Sequence, residues 1–298
     1  MKVARGVLLL LLALGCRKAE TRVLRSAATD LTPVLIGAGD VADCTTDGRE
    51  QTARILDTID GTVFVAGDAA YRRKNVPDPL HECYDATWGR HKSRTRPAPG
   101  NHEYDTGNAQ MYFSYFGAAA GPPDGYYSYE IGTWHVIALN TTIAIGRESE
   151  QLSWLRRDLD AHAGHCTVAY MHHPRFSSGP HDERERLIPL WEELQDYGVT
   201  IAVAGHDHIY ERFAPLDAQG NTDAANGVRQ FVVGTGGAHR YDVQAPLFGS
   251  EARSTTDFGV LKLTLLPDRY RWEFIPVDQH GFHDRGEASC RPTRAVAR

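Results

Sequence analysis

The sequence predicts an α/β protein in which two β-sheets pack face to face and helices cover their outer sides. Two observations carry this. First, short β-branched runs alternate with stretches of helical periodicity between Pro33 and Gly205, as repeated βα units do. Second, the tail holds strand-like runs with no helical stretch between them, so it adds sheet without adding a helical layer.

In chain order, "PVLIGAGD" and "GTVFVAGD" are apolar runs ending in Gly-Asp. Thr52, Ile55, Leu56 and Ile59 recur between them at helical spacing, which makes a βαβ unit with parallel strands. "TRPA" is a short strand before "PGNHEY". "TWHVIALN" reads as a strand ending at Asn140, Leu152, Leu155 and Leu159 mark a helix, and "CTVAYMHH" is the next strand. Leu187, Leu190, Trp191 and Leu194 mark another helix, stopped by Gly198. The strand "VTIAVAGH" follows. "RQFVVGTGG" and "FGVLKLTLLPDRYRWEFIPV" complete the sheets, with "LPDR" as a turn.

The first residues differ from the rest. Lys2 and Arg5 precede the apolar run "GVLLLLLALGC", after which "RKAETR" is charged again. The run is shorter than the roughly 20 apolar residues that span a bilayer. A basic start, a short apolar core and small residues before a cut describe a signal peptide over residues 1–16. "ALGC" also resembles a bacterial lipobox, which would place a lipid on Cys16 and make the protein a cell-envelope lipoprotein, or a secreted one if no lipid is added. Membrane attachment is expected only through that lipid. Residues 17–32 read as a tether and 33–298 as one catalytic domain.

The composition is 42% hydrophobic and 23% charged with a net charge of -6, which suits a soluble globular domain and argues against nucleic-acid binding. A monomer is expected. Beyond Cys16, four cysteines remain: Cys44, Cys83, Cys166 and Cys290. They allow three pairings. Cys44 and Cys83 both follow C-terminal ends of predicted strands, whereas Cys166 starts one at the opposite sheet edge. The expected pairs are therefore Cys44 with Cys83 and Cys166 with Cys290, in an oxidising compartment.

Polar residues cluster where strands end, and ligands of open α/β sheets gather at the carboxyl ends of strands. Five ends carry metal-type side chains. They are Asp40; "GDAAY" with Asp68 and Tyr71; "GNHE" with Asn101, His102 and Glu103; "MHHP" with His172 and His173; and "GHDHIYER" with His206 and His208. Two cations about 3.5 to 4 Å apart need a ligand that touches both, and a carboxylate has two oxygens for it. Imidazole suits transition ions better than calcium. Glycines beside Asp40, Asp68, Asn101 and His206 are expected to let the backbone turn.

This series of motifs, spanning residues 40 to 212, resembles the calcineurin-like metallophosphoesterases and, among them, the purple acid phosphatases. The resemblance implies the α-β-β-α metallophosphoesterase fold, with the tail through Val277 as the second sheet. It implies two metal ions. Fe(III) would be held by Asp40, Asp68, Tyr71 and His208. A divalent ion (Zn, Mn or Fe) would be held by Asp68 as the bridge, Asn101, His172 and His206. It further implies hydrolysis of a small phosphorylated substrate by metal-bound hydroxide, most simply a phosphomonoester, with a phosphodiester or nucleotide as the alternative and a non-catalytic metal-binding surface protein as the rival class.

His102 is implied as general acid and His181, in "PRFSSGPHDE", as a phosphate contact. His173, next to a ligand, is expected to point elsewhere. Glu211 and Arg212 are expected to pair with each other. The sequence departs from the family at Ala42, where glycine is usual two residues after the aspartate, which leaves Asp43 as a competitor for Asp40.

Overall fold

The computed structural model describes Met1 and residues 32–296 apart from Thr106, Asp182 and Gln244. Apart from Met1 and Thr32, the expected signal peptide, with Cys16, and the expected tether lie outside the described residues. Thr32–Arg298 forms one unit by its internal contacts.

β1 (Val34–Ala38), β2 (Thr62–Ala66) and β3 (Thr95–Ala98) are parallel neighbours. α1 (Gly48–Leu56) connects the first two, burying Thr52, Ala53 and Leu56 at helical spacing. Ile59, expected in that helix, lies beyond its end. α2 (Gln110–Phe116) follows β3.

β4 (Tyr127–Ile131) and β5 (Trp134–Ala138) open the second sheet as an antiparallel hairpin. α3 (Glu150–Ala161) leads to β6 (Cys166–Tyr170), and α4 (Ile188–Asp196) leads to β7 (Ile201–Ala204). The Ser149 hydroxyl caps α3 by accepting the Leu152 N–H at 3.2 Å. β8 (Tyr210–Leu216), β9 (Val228–Val233) and β10 (Ser250–Ser254) finish this sheet, whose order is β10-β8-β9-β7-β6-β5-β4.

The tail corrects one expectation. β11 (Gly259–Leu265), β12 (Arg269–Pro276) and β13 (Asp284–Ser289) do not make a sheet of their own. They extend the first sheet, in the order β13-β12-β11-β1-β2-β3, with β11 antiparallel to β1. Of the tail strands that the sequence predicts, only β9 joins the second sheet, parallel to β7.

Successive residues of a strand face opposite ways, and here both ways are apolar. Val136, Val168, Ile201 and Val203 enter a core that also holds Ile36, Phe64, Val65 and Leu261 of the first sheet. Their neighbours Ile137, Ala169 and Ala202 enter a second core with Leu152, Leu155, Leu159, Trp191 and Leu194 of α3 and α4. Strands buried on both faces read as continuous apolar runs rather than alternating ones. Cys44 bonds to Cys83 and Cys166 to Cys290, each with Cα atoms 5.7 Å apart, the two expected pairs.

Candidate metal centre

The strands that run parallel end at a common edge, and there the loops turn abruptly. Among the described residues, four other than glycine have positive φ: Asp40 (59°), Asp68 (49°), Ala109 (55°) and His206 (69°). Three of these follow β1, β2 and β7 directly and are candidate ligands. Backbone held in this sparsely populated region collects at functional sites, where the surrounding structure must enforce it.

The neighbouring glycines act mainly through close approach. A Cβ on Gly100 would stand 2.2 Å from Asp68 Oδ1, and one on Gly205 would stand 2.5 Å from Asp40 Oδ2. Ala42 fits where glycine is usual because it continues in extended pairing with the next loop: it bridges Ala70, and its carbonyl accepts the Tyr71 N–H at 3.1 Å.

The seven expected ligands converge in two groups. In the first, Tyr71 donates its hydroxyl to Asp40 Oδ1 at 2.8 Å, and His208 Nε2 lies 3.2 Å from that oxygen and 3.1 Å from the phenol. In the second, His172 Nε2 lies 2.9 Å from Asn101 Oδ1, 3.1 Å from His206 Nδ1 and 3.2 Å from Asp68 Oδ2. Asp40, Asp68 and His172 offer atoms within 4.8 Å of one another, so the groups adjoin. All but Asn101 and His206 are buried.

The donor chemistry fits cations. His172 donates its Nδ1–H to the Ala66 carbonyl at 3.0 Å, and His208 donates its own to the His239 carbonyl. Each Nε2 is thereby turned toward carboxylate, amide or phenol oxygens, the direction in which it would meet a cation that replaced its proton. His172 is surrounded by acceptors: burial pulls its pKa down, but the Asp68 and Asp40 carboxylates raise it to about 10. Partial burial and then the crowding by His172 and His181 bring His206 down to about 2. Burial and the Asp40 carboxylate hold the Tyr71 phenol far above its ordinary range. Asp40 and Asp68 lie below the usual carboxylate range, because the nearby histidines outweigh their burial.

The two other expected site residues stand at the mouth. His102 donates Nδ1–H to Asp105 at 2.8 Å and packs its ring 4.6 Å from that of Tyr71. Burial lowers its pKa, but Asp68 and Asp105 raise it more. His181 donates Nδ1–H to the buried Asp207 at 2.8 Å, with its ring 4.4 Å from that of His206. An open cleft of about 470 Å³ begins at His181.

Two expectations fail, and one alternative closes. His173 does not point elsewhere: its ring lies 4.5 Å from that of His206, with Nδ1 held 2.8 Å from the Thr141 hydroxyl. Asp43 is no competitor for Asp40, because Arg73 and Thr45 occupy its carboxylate. Glu211 and Arg212 do not pair. Adjacent in β8, they face opposite sides, so Glu211 takes Ser178 and Ser250 while Arg212 grips Asp284 at 2.7 Å. Sequence reasoning gave no role to Asp207, Asp105 or Tyr241, whose ring stacks on His208 at 4.1 Å. An acidic residue in "GHDH" was the signal available for the first.

A sequence profile described as Calcineurin-like phosphoesterase matches residues 33–210. Purple acid phosphatase 15 of Arabidopsis thaliana is 32% identical over 157 residues, which is 45% of this chain and 30% of that protein. Purple acid phosphatase 21 of the same plant is 30% identical over 202 residues, 60% of this chain and 44% of that one. The chain thus spans less than half the length of these relatives. Among solved structures, the purple acid phosphatase PPD1 of yellow lupin superposes with a TM-score of 0.71 at 21% identity, over 86% of this chain and 53% of that one. GAP50, titled the anchor in the inner membrane complex of Plasmodium, gives 0.69 at 15% identity, over 89% and 91%. At such identities the likeness is one of fold.

Proposed function

Because the chain belongs to the calcineurin-like phosphoesterase family, we propose that it hydrolyses phosphate esters, phosphomonoesters foremost, at the cluster around Asp68. The observation that carries this reading is the division of seven converging donors into two adjoining sets. Asp40, Tyr71 and His208 suit a trivalent ion, and Asn101, His172 and His206 a divalent one, with Asp68 between them. Phenolate is a hard anionic ligand and suits a hard trivalent cation, which favours Fe(III) for the first. Zn, Mn or Fe suits the second.

Bound there, such ions would neutralise phosphoryl oxygens and make water acidic enough to attack. The chain's own groups do the rest. Asp105 keeps the Nδ1 proton on His102, so Nε2 can deliver a proton to the leaving oxygen. Asp207 holds the Nδ1–H of His181, so that as the imidazolium His181 can donate Nε2–H to a phosphate oxygen. Glu103 ties the loops after β2 and β3 together beneath Asp68 and Asn101.

A second reading has a specific support: the same fold occurs in a protein titled an anchor, so fold alone does not entail turnover. Initial rates on an aryl phosphomonoester and on the bis-aryl diester, for the native protein and for Asp68→Ala, separate the readings. Faster monoester cleavage that Asp68→Ala abolishes is expected. Faster diester cleavage would assign a phosphodiesterase, and hydrolysis of neither ester would assign a binding role.

We further propose an exported monomer, lipidated on Cys16 where the lipobox is cut. Two disulfides support an oxidising destination. Mass spectrometry of the mature N-terminus tests the lipid.

A further inference from the structure

A second cluster of metal-type side chains lies on the β4–β5 hairpin and shares no residue with the Asp68 site. Glu130 of β4 sits directly across from His135 of β5, and His162 caps the C-terminal end of α3. One atom from each lies within 4.8 Å of the others.

The protons on the two imidazoles are placed by their neighbours. His135 donates Nε2–H to Asp158 Oδ2 at 2.7 Å, and Asp158 is itself held by the Ser128 hydroxyl at 2.7 Å. His162 donates Nδ1–H to the Asp158 carbonyl, also at 2.7 Å. Each ring thus spends its proton on Asp158 and turns its other nitrogen toward Glu130 Oε1, which is 2.6 Å from His135 Nδ1 and 3.8 Å from His162 Nε2. Histidines that bind metals are set in this way, with the far N–H given to a carboxylate or carbonyl. His135 is buried, whereas the Glu130 and His162 side chains are 42% and 32% exposed, so an ion can enter and water can complete its coordination.

We infer that Glu130, His135 and His162 form a separate site for one borderline divalent ion of the Zn²⁺ type. Two imidazoles, one carboxylate and an open position make a tetrahedral zinc set. The imidazole rings stack at 3.9 Å, so binding the ion requires the partly exposed His162 ring to tilt out of the stack while its Nδ1–H stays on the Asp158 carbonyl. Bound there, it fastens the edge hairpin of the second sheet to the end of α3. The rival occupant is a proton shared between His135 Nδ1 and Glu130.

The test uses the full chain with its Asp68 centre already loaded, dialysed against ZnCl₂ and then analysed for zinc, alongside His162→Gln and Glu130→Gln. Both altered side chains are partly exposed, and neither belongs to the phosphoesterase centre, so equal hydrolysis rates in all three proteins certify intact folding. The native protein is expected to hold one zinc ion per chain more than either variant and to gain Tm with zinc where they do not. Asp158→Asn, which leaves all three ligands in place, is expected to weaken that zinc about 10- to 100-fold. Equal zinc in native and variant proteins overturns the inference, whether the shared content is high, because the extra ion sits elsewhere, or low, because His135 carries a proton instead.

Discussion

Glu103 Oε2 accepts the backbone N–H of Asp68 at 2.9 Å, and the same carboxylate takes the N–H of Ala69 at 2.9 Å and that of Gly100 at 2.5 Å. One buried side chain thereby fixes the loops after β2 and β3, which carry the bridging aspartate and Asn101. Burial and the nearby Asp68 push its pKa up to about 7. Glu103→Gln turns an amide NH₂ toward at least one of these N–H groups. The expected result is a loss of about 1–3 kcal/mol in denaturant unfolding and metal affinity about 10- to 100-fold weaker in equilibrium dialysis. Native values for both would show that the loops hold themselves.

His172 makes the metal-free protein sensitive to alkali. Its folded pKa is raised to about 10 from an ordinary 6.5, so its contribution to stability is fully present below pH 6.5 and disappears as pH climbs toward 10. Melting curves of the stripped protein across that window are expected to fall, and His172→Asn is expected to lack this component. Parallel curves for the two proteins would contradict it.

Tyr71→Phe removes one oxygen from the Asp40 and His208 group and leaves the ring in place. If Fe(III) occupies that group, the native protein shows a visible tyrosinate-to-iron band, and the variant loses it while keeping its fold by circular dichroism. A band that survives the substitution would move the phenolate ligand elsewhere.

The two disulfides close segments of 39 and 124 residues. By loop-closure entropy they contribute up to about 4 and 5 kcal/mol. Cys44→Ser with Cys83→Ser, and separately Cys166→Ser with Cys290→Ser, are each expected to lower Tm, the second pair more. No change in either would show that the unfolded chain is already compact.

Much of the site was legible in the sequence because several ligands stand just past an apolar run, and an apolar run locates a buried strand. Asp40, Asp68 and His206 were found this way. What the sequence concealed were elements whose local pattern is weak. β4 is half exposed at a sheet edge, and β8 reads "YERFAPL", with Glu211 buried and Arg212 partly covered by distant partners rather than by apolar character. The sheet to which the tail belongs was hidden for a related reason. β11 alternates, with Leu261, Leu263 and Leu265 on one face and Lys262 and Thr264 on the other, a pattern that either sheet satisfies, and only its pairing with β1 decides. Asp105 and Asp207 were missed as partners of His102 and His181 because a carboxylate in a polar loop looks solvated until the fold brings it to a histidine.

The account rests on two cations sharing Asp68. Anomalous diffraction from crystals of the loaded protein, collected at the iron and zinc edges, measures this most directly. Two peaks about 3.5 to 4 Å apart are expected, one against Asp40, Tyr71 and His208, the other against Asn101, His172 and His206, with Asp68 reaching both. A single peak at this cluster, or none within reach of Asp68, would contradict it, whereas a further peak at Glu130, His135 and His162 would not.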